Sequence, residues 1–300
     1  MHRQIRIAIV VLLAAIGTSP SARAQVDAVY QREVEKFRAE EIKDLKSNWL
    51  VLAGLFWLKP GSNSFGTGAS NAIVLPAGTA PAIAGVFELN GDEVTLKMEP
   101  GAAATIDKQP VTMAKLQPDT SGKATVVALG RLRMHVIKRG ERVGVRLKDL
   151  QNPALRNFTS LQFFPLDATY RVTATWVPSD GKRTVDVPNV LGDVSHETVP
   201  GEVRFTINGQ PLTLTALGGD AAKGLFFVFS DTTSRTETYP SGRFLEADAV
   251  KDGKVVIDFN KAYNPPCAVT PYATCPLAPK ENRLAVAIPA GEKFDHSKPH

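Results

Sequence analysis

Five short turn signals recur along the chain after residue 50. They are Asn90-Gly91, Arg139-Gly140, Asp180-Gly181, Asn208-Gly209 and Asp252-Gly253, and most lie between runs rich in β-branched, aromatic and other apolar residues. Asn-Gly and Asp-Gly pairs supply the positive φ angles that tight hairpins require. No helix-length periodicity appears after residue 50. The sequence therefore predicts a mainly β fold made of antiparallel β-sandwich or barrel-like modules, with one N-terminal helix.

That helix is predicted over residues 25–48, where Tyr30, Val34 and Phe37 recur at helical spacing and charged residues fill the other face. We interpret it as a helix that packs over a sheet edge. The boundaries that follow are an N-terminal β module (49–150), a C-terminal β module (151–293) and a flexible polar tail (294–300). One continuous sandwich is the alternative, because all-β domains can reach this length.

The first 24 residues have the organisation of a secretory signal peptide. Arg3 and Arg6 give a basic start, residues 7–16 are apolar and uncharged, and Ala22-Arg23-Ala24 fits a small-x-small cleavage site. The apolar run is too short for a permanent membrane span, although an uncleaved anchor is the alternative. We expect cleavage after about Ala24 and a periplasmic or secreted protein with no stable membrane insertion.

Charge argues against a nucleic-acid partner. Residues 1–24 contain three arginines and no acid, so their removal lowers the formal net charge from +5 to +2. The remaining basic residues are scattered rather than clustered. No phosphate-binding glycine motif is present, and no cofactor is predicted.

The two cysteines, Cys267 and Cys275, lie in a proline-rich segment near the C-terminus. In an oxidising compartment such a pair predicts one disulfide, which would stiffen the loop between them. A zinc site is the competing interpretation, but no histidine lies near the pair at metal-site spacing, so no metal is predicted.

Four short motifs follow one another in this region: YNPPCA (263–268), CPL (275–277), ENRL (281–284) and AGEK (290–293). In this order they resemble the domain-of-unknown-function 1684 family, and the resemblance runs from about Leu50 to Lys293. The family's activity is unassigned, so the resemblance implies the extent of the domain and supplies no catalytic residues.

Polar side chains on two segments are the candidate ligand contacts. If residues 235–239 form a strand, Glu237 and Tyr239 share one face with Arg235, and Arg243 follows a turn at 240–242. In the second segment, Pro265 forces an extended backbone on Asn264 and so aims its side chain rigidly. The predicted ligand-binding residues are Glu237, Tyr239, Arg243, Tyr263, Asn264, Asn282 and Arg283.

Two functions follow from these candidates. The leading hypothesis is a pocket for a small polar or anionic molecule, formed by the 237–243 turn and the 263–283 loop. The alternative is a hydrolase that uses the carboxylate of Glu237 or Asp258. Asp258 shares a half-apolar strand face, where we expect it to pair with Arg243 or Arg283. For most of these residues an exposed ion-pair ladder or a brace for the loop is the simpler structural role.

Overall fold

The computed structural model describes residues 27–297 and begins with helix α1 (Ala28–Asp44), which continues into a π-helical turn, Leu45–Trp49. Tyr30 and Val34 form the buried stripe of α1, as its periodicity predicts. None of the helices in residues 27–297 is long and apolar enough to cross a membrane. The predicted signal peptide lies outside the described residues.

Eleven strands follow α1 in the N-terminal part of the chain. They are β1 (Leu52–Trp57), β2 (Gly61–Gly66), β3 (Ile73–Val74), β4 (Gly85–Asn90), β5 (Glu93–Met98), β6 (Ala104–Ile106), β7 (Gln109–Val111), β8 (Met113–Leu116), β9 (Val127–Leu129), β10 (Leu132–Arg139) and β11 (Arg142–Asp149).

These strands form two sheets that share one hydrophobic core. The six-stranded sheet has the order β1-β11-β10-β9-β6-β7, and the five-stranded sheet has the order β3-β2-β4-β5-β8. Phe65 and Phe87 from the second sheet pack in the same cluster as Val136 and Val145 from the first. The arrangement is a sandwich, and the predicted antiparallel class is confirmed, with one parallel pair between β2 and β3.

A short helix, α2 (Pro153–Asn157), connects to the C-terminal part. Its strands are β12 (Arg171–Pro178), β13 (Thr184–Pro188), β14 (Val194–Thr198), β15 (Gly201–Ile207), β16 (Gln210–Thr215), β17 (Gly218–Asp220), β18 (Gly224–Phe229), β19 (Arg243–Asp248) and β20 (Lys254–Asp258). They form three open antiparallel sheets with the orders β16-β15-β12-β20, β13-β14 and β17-β18-β19.

A second hydrophobic cluster joins the sheets of the C-terminal part. Val203 from the four-stranded sheet packs in one cluster with Phe227 and Leu245 from the three-stranded sheet, and Phe259 and Ile288 belong to the same cluster. Between β20 and residue 297 the structure contains no long strand; the chain there runs through short 3-10 turns and single bridges. The candidate site lies in this irregular region.

Three of the five turn signals join strands that pair directly. Asn90-Gly91 connects β4 and β5, Arg139-Gly140 connects β10 and β11, and Asn208-Gly209 connects β15 and β16. Asn208 has φ 50° and Gly209 has φ 77°, which is the left-handed backbone expected of this pair. Asp180-Gly181 and Asp252-Gly253 instead lie between strands of different sheets. These two signals therefore mark turns, but the strands on either side of each turn do not pair as a hairpin.

Candidate functional site

The loop that carries both cysteines is cross-linked as predicted. Cys267 and Cys275 form a disulfide with a Cα–Cα distance of 6.3 Å. Two backbone hydrogen bonds tie the second half of the loop to the end of β13: Val190 N donates to Cys275 O (3.1 Å), and Leu277 N donates to Pro188 O (2.8 Å). The disulfide and these bonds hold the 263–277 segment in place.

A cavity of about 450 Å³ lies beside this loop. Its other walls are the segment after α2 and the last described residues of the chain. Lys293 N donates to Gln162 O (2.8 Å), which holds these two walls together. The lining residues are Leu50, Ala154, Asn157, Phe158, Thr159, Ser160, Leu161, Gln162, Asn264, Cys267, Ala268, Val269, Thr270, Pro271, Glu292, Lys293, Phe294 and Asp295. We call it the disulfide-loop cavity.

Glu292 is the most deeply buried charged group in its wall, with 5% of its surface exposed. Both carboxylate oxygens accept hydrogen bonds from Asn264, one from the backbone N–H and one from the side-chain Nδ2, each at 2.8 Å. Burial raises the pKa of Glu292 to about 8, although the two bonds from Asn264 and the charge of Arg243 lower it. At neutral pH the carboxyl is therefore largely protonated, so it can donate a hydrogen bond.

Asn264 is held by hydrogen bonds from both its backbone and its side chain. Its Nδ2 also donates to Lys293 O (3.0 Å), so one amide group connects the loop to the strand-like segment that carries Glu292. Its Oδ1 is buried and accepts no hydrogen bond from the described residues. Asn264 is the predicted ligand-binding residue whose side chain lines the cavity.

Tyr263 points to the other side of the loop, toward α1. Its hydroxyl donates to Glu246 Oε1 (2.9 Å), and burial, together with the charge of Glu246, raises its pKa. A small cavity of about 40 Å³ lies there, bordered by Tyr263, Glu41 and Glu292. Burial raises the pKa of Glu41 to about 7, and the neighbouring charge of Glu246 adds to the shift.

Arg243, predicted from the sequence to bind a ligand, lies in the protein interior. It is completely buried (0% exposed), and its Nη2 pairs with Asp231 Oδ2 at 2.7 Å. The same guanidinium donates to the carbonyls of Ala290 and Ile288. A ligand in the cavity cannot reach it, because its hydrogen bonds are made to the protein interior. Arg243 instead supports the backbone just before Glu292.

Asn282 is also buried, and its amide bonds hold strands together. Nδ2 donates to Thr215 O (2.8 Å) and Val228 O (3.0 Å), and Oδ1 accepts from Thr215 N (2.7 Å). The neighbouring Arg283 is exposed. Neither residue lines the disulfide-loop cavity, so the structure places both apart from Asn264.

The segment expected to be a strand over 235–239 is irregular: Arg235 ends a 3-10 turn, Thr232–Arg235, and a turn and a bend follow at 236–238. Asp231 caps this turn through Thr233 N, and Ser234 Oγ accepts from the backbone N–H of Asp231, so the local capping bonds prevail over strand formation. Glu237 is exposed near the edge of the cavity, 3.5 Å from Lys293 Nζ.

Tyr239 packs edge-on against Phe294, with ring centroids 5.0 Å apart. Phe294 N donates to Glu237 O (2.8 Å), so the chain is anchored at residue 294, where the sequence predicted a flexible tail. Burial raises the pKa of Tyr239. Tyr239 therefore supports a cavity wall through Phe294 and does not line the cavity.

Asp258 pairs with neither Arg243 nor Arg283, contrary to the prediction. Its Oδ1 accepts from the hydroxyl of Tyr30 on α1 (2.8 Å) and from the backbone N–H of Asn260 (3.1 Å). Burial raises the pKa of the Tyr30 hydroxyl, and the charge of Asp258 adds to the shift. Asp258 thus fixes α1 to the sheet, and it does not line the disulfide-loop cavity.

Sequence reasoning missed Glu292 as a candidate, although it lies in the AGEK motif. The environment of Glu292 is formed by the long-range bridge between Phe163 and Glu292 and by the fold of the proline-rich loop. A single acidic residue after Ala290-Gly291 belongs to no helix or strand periodicity from which a site could be predicted. Within residues 27–297, no group of three or more His, Cys, Asp or Glu side chains is arranged to hold a metal ion.

The fold and the cavity define a mainly β protein whose candidate site lies beside a disulfide-bridged loop. Residues 156–293 match the family described as "Protein of unknown function (DUF1684)", and this part of the chain belongs to that family. The match covers the C-terminal part of the predicted resemblance and begins about a hundred residues after Leu50, where the resemblance was expected to start. No curated protein matches the chain.

Among solved structures, an uncharacterized protein from Haloarcula marismortui is 30% identical; the similarity covers 49% of this chain and 82% of that one, with a TM-score of 0.40. An FHA domain studied for phosphothreonine-dependent interactions and the FhaA FHA domain are each 17% identical over 31% of this chain, with TM-scores of 0.23. The similarity covers 92% and 97% of those two chains. These TM-scores are too low to support an inference about this chain.

Proposed function

We propose that this protein binds a small polar organic molecule in the disulfide-loop cavity. The observation that carries the proposal is the Glu292 carboxyl, which lines the cavity, is 5% exposed and has a pKa of about 8. A shifted pKa in a concave site is typical of functional positions. Apolar side chains such as Leu161 and Val269 supply the remaining surface that such a ligand would contact.

The polar groups favour an uncharged ligand over an anion. The lining contains the carboxyls of Glu292 and Asp295 and one lysine, Lys293, whose Nζ already lies near Glu237 and over the ring of Phe164. Protonated Glu292 offers a hydrogen-bond donor, and Asn264 Oδ1 offers an acceptor that no described residue satisfies. A hydroxyl or amide of the ligand matches this pair.

This proposal narrows the pocket expected from the sequence. The 264–271 part of the loop contributes a wall, whereas the 237–243 turn contributes only indirect support through Phe294. No observation supports the hydrolase alternative, because Asp258 is hydrogen-bonded to Tyr30 and Glu237 is exposed.

The test is a thermal-shift screen of the purified mature chain with a defined panel of monosaccharides, amino acids and hydroxy acids. Ser160→Trp would fill the cavity from its exposed wall, and Ser70→Trp, on an exposed turn of the N-terminal part, is the matched control. We expect a compound that stabilises the wild type and Ser70→Trp but not Ser160→Trp. A compound that stabilises all three equally binds elsewhere, and a panel without any stabilising compound counts against the proposed ligand class.

We also propose that the chain is exported to the periplasm or secreted. The disulfide between Cys267 and Cys275 supports this, because such bonds persist mainly in oxidising compartments. Mass spectrometry of the protein from cell fractions should find an N-terminus at about Gln25 in the exported fraction. Full-length protein in the cytoplasm alone would contradict export.

A further inference from the structure

A basic surface covers the side of the six-stranded sheet that faces away from its core. In the antiparallel pairing of β10 with β11, His135 lies opposite Arg146, and the next pair on that face is Arg133 with Lys148. The alternate residues, such as Met134 and Leu147, pack in the core. The π-helical turn after α1 covers part of this basic face: the Arg146 guanidinium lies 5.9 Å from the Trp49 ring centroid, and Lys148 Nζ donates to Asn48 Oδ1 (2.9 Å).

Arg146 is the unusual member of this set. Only 7% of its surface is exposed, yet its buried Nε has no hydrogen-bond partner among residues 27–297. A buried charge without a partner is strongly unfavourable, and buried guanidinium groups are normally hydrogen-bonded. By contrast, the fully buried Arg243 has a carboxylate and two carbonyls as acceptors.

The neighbours of Arg146 do not balance its charge. Asp119 is the acid whose charge acts on Arg146, but it already pairs with Arg139 at 2.7 Å and accepts from Lys138 N. Burial, together with the charge of Arg139, lowers the pKa of Arg146 to about 10. Burial also lowers the pKa of His135 to about 4, so this imidazole is neutral near pH 7 and can donate one N–H.

We propose that Arg146, Lys148 and His135 form a binding site for a phosphate-type oxyanion between the six-stranded sheet and the turn that carries Trp49. The guanidinium can donate two parallel hydrogen bonds to one phosphate, the ammonium adds a second positive charge, and the imidazole adds a neutral donor. A phosphate group carries a charge of about −1.5 to −2 near neutral pH, which matches the two cations, whereas one carboxylate would balance only one of them.

This site is separate from the disulfide-loop cavity, since none of its three side chains lines that cavity. Lys148 and His135 are only partly buried, so the cluster can be reached from solvent at the end where they lie. The phosphate can be free inorganic phosphate or part of a phosphorylated organic molecule, and both present the same group to Arg146.

The test is isothermal titration of the full mature chain with inorganic phosphate and with phenyl phosphate, at constant ionic strength and near pH 7. We expect saturable binding of at least one of them. Tighter binding of inorganic phosphate identifies the free ion as the ligand, and tighter binding of phenyl phosphate identifies an organic phosphate; both support the site. If the wild type binds neither, the proposal is wrong.

Arg146→Met keeps most of the side-chain volume and removes the charge, and it should weaken phosphate binding at least tenfold. Arg204→Met is the matched control on an exposed strand position and should bind like the wild type. In phosphate-free buffer Arg146→Met should unfold at the same temperature as the wild type or higher, because the unpaired charge is gone. A lower unfolding temperature there, or unchanged binding in both Arg146→Met and Lys148→Met, would overturn the proposal.

Discussion

The buried pair between Arg243 and Asp231 allows a quantitative prediction about stability. Both side chains are completely buried, their charged atoms lie 2.7 Å apart, and Arg243 also satisfies the carbonyls of Ala290 and Ile288. Arg243→Met would leave the Asp231 carboxylate without its counter-ion and both carbonyls without this donor. Removing one partner of a buried ion pair costs about 3–5 kcal/mol. For a domain of this size that corresponds to a fall in the unfolding temperature of roughly 10 °C.

A second variant separates the charge from the lost packing. Asp231→Asn, combined with Arg243→Met, keeps an oxygen that can accept from Thr233 N but removes the isolated charge. The double variant should therefore be more stable than Arg243→Met alone, by about 1–3 kcal/mol. Chemical denaturation followed by circular dichroism measures both free energies of unfolding.

Arg283→Met is the matched control for this experiment. Arg283 is an exposed arginine, so its substitution should change the free energy of unfolding by less than about 0.5 kcal/mol. The reasoning is refuted if Arg243→Met lies within about 1 kcal/mol of the wild type, or if the double variant is no more stable than the single one.

Two further predictions concern the segment that carries Glu292. Because the pKa of Glu292 is raised from 4.5 to about 8, its stabilising contribution is complete below pH 4.5 and is lost as the pH rises through about 8. Over that range the wild type should lose stability relative to Glu292→Gln, and parallel profiles in pH-dependent denaturation would contradict the shift. Gly291→Ala would place Cβ 2.5 Å from Ala262 O, so it should lower the unfolding temperature more than the control Gly181→Ala, where nothing lies within 4 Å. Both glycines have positive φ, near 80°, so equal effects would show that the close contact relaxes easily.

The sequence predicted well the features that depend on residues close together in the chain. Asn208-Gly209 and similar pairs mark turns through their own backbone preferences, and the spacing of Tyr30 and Val34 marks the helix. The disulfide was predictable because the chain has just two cysteines. The 3-10 turn at 232–235 was also readable in principle, since Asp231 and Ser234 have the spacing of a capping box, but the alternation of Arg235, Glu237 and Tyr239 suggested a strand.

The site itself depends on contacts that no local pattern records. The burial of Arg243 follows from the position of the carbonyls of Ala290 and Ile288, more than forty residues later. Asn264 and Glu292 meet across 28 residues without any long strand pairing between them. In the basic cluster, Arg146 is buried because the turn after α1 packs on the sheet. The sequence does not record this packing, so Arg146 looks there like any other isolated basic residue.

The hydrogen bond between Tyr30 and Asp258 has a consequence for the order in which the chain assembles. The two residues are 228 positions apart, and all of β1 to β11 lies between them. As the polypeptide is synthesised from its N-terminus, α1 is made early but must wait for β20, the last of the described strands, before its docking surface exists. Closing so long a segment adds little entropy cost relative to a shorter one, so the constraint is mainly one of timing. The sandwich of residues 52–149 can therefore form before the first helix joins β20.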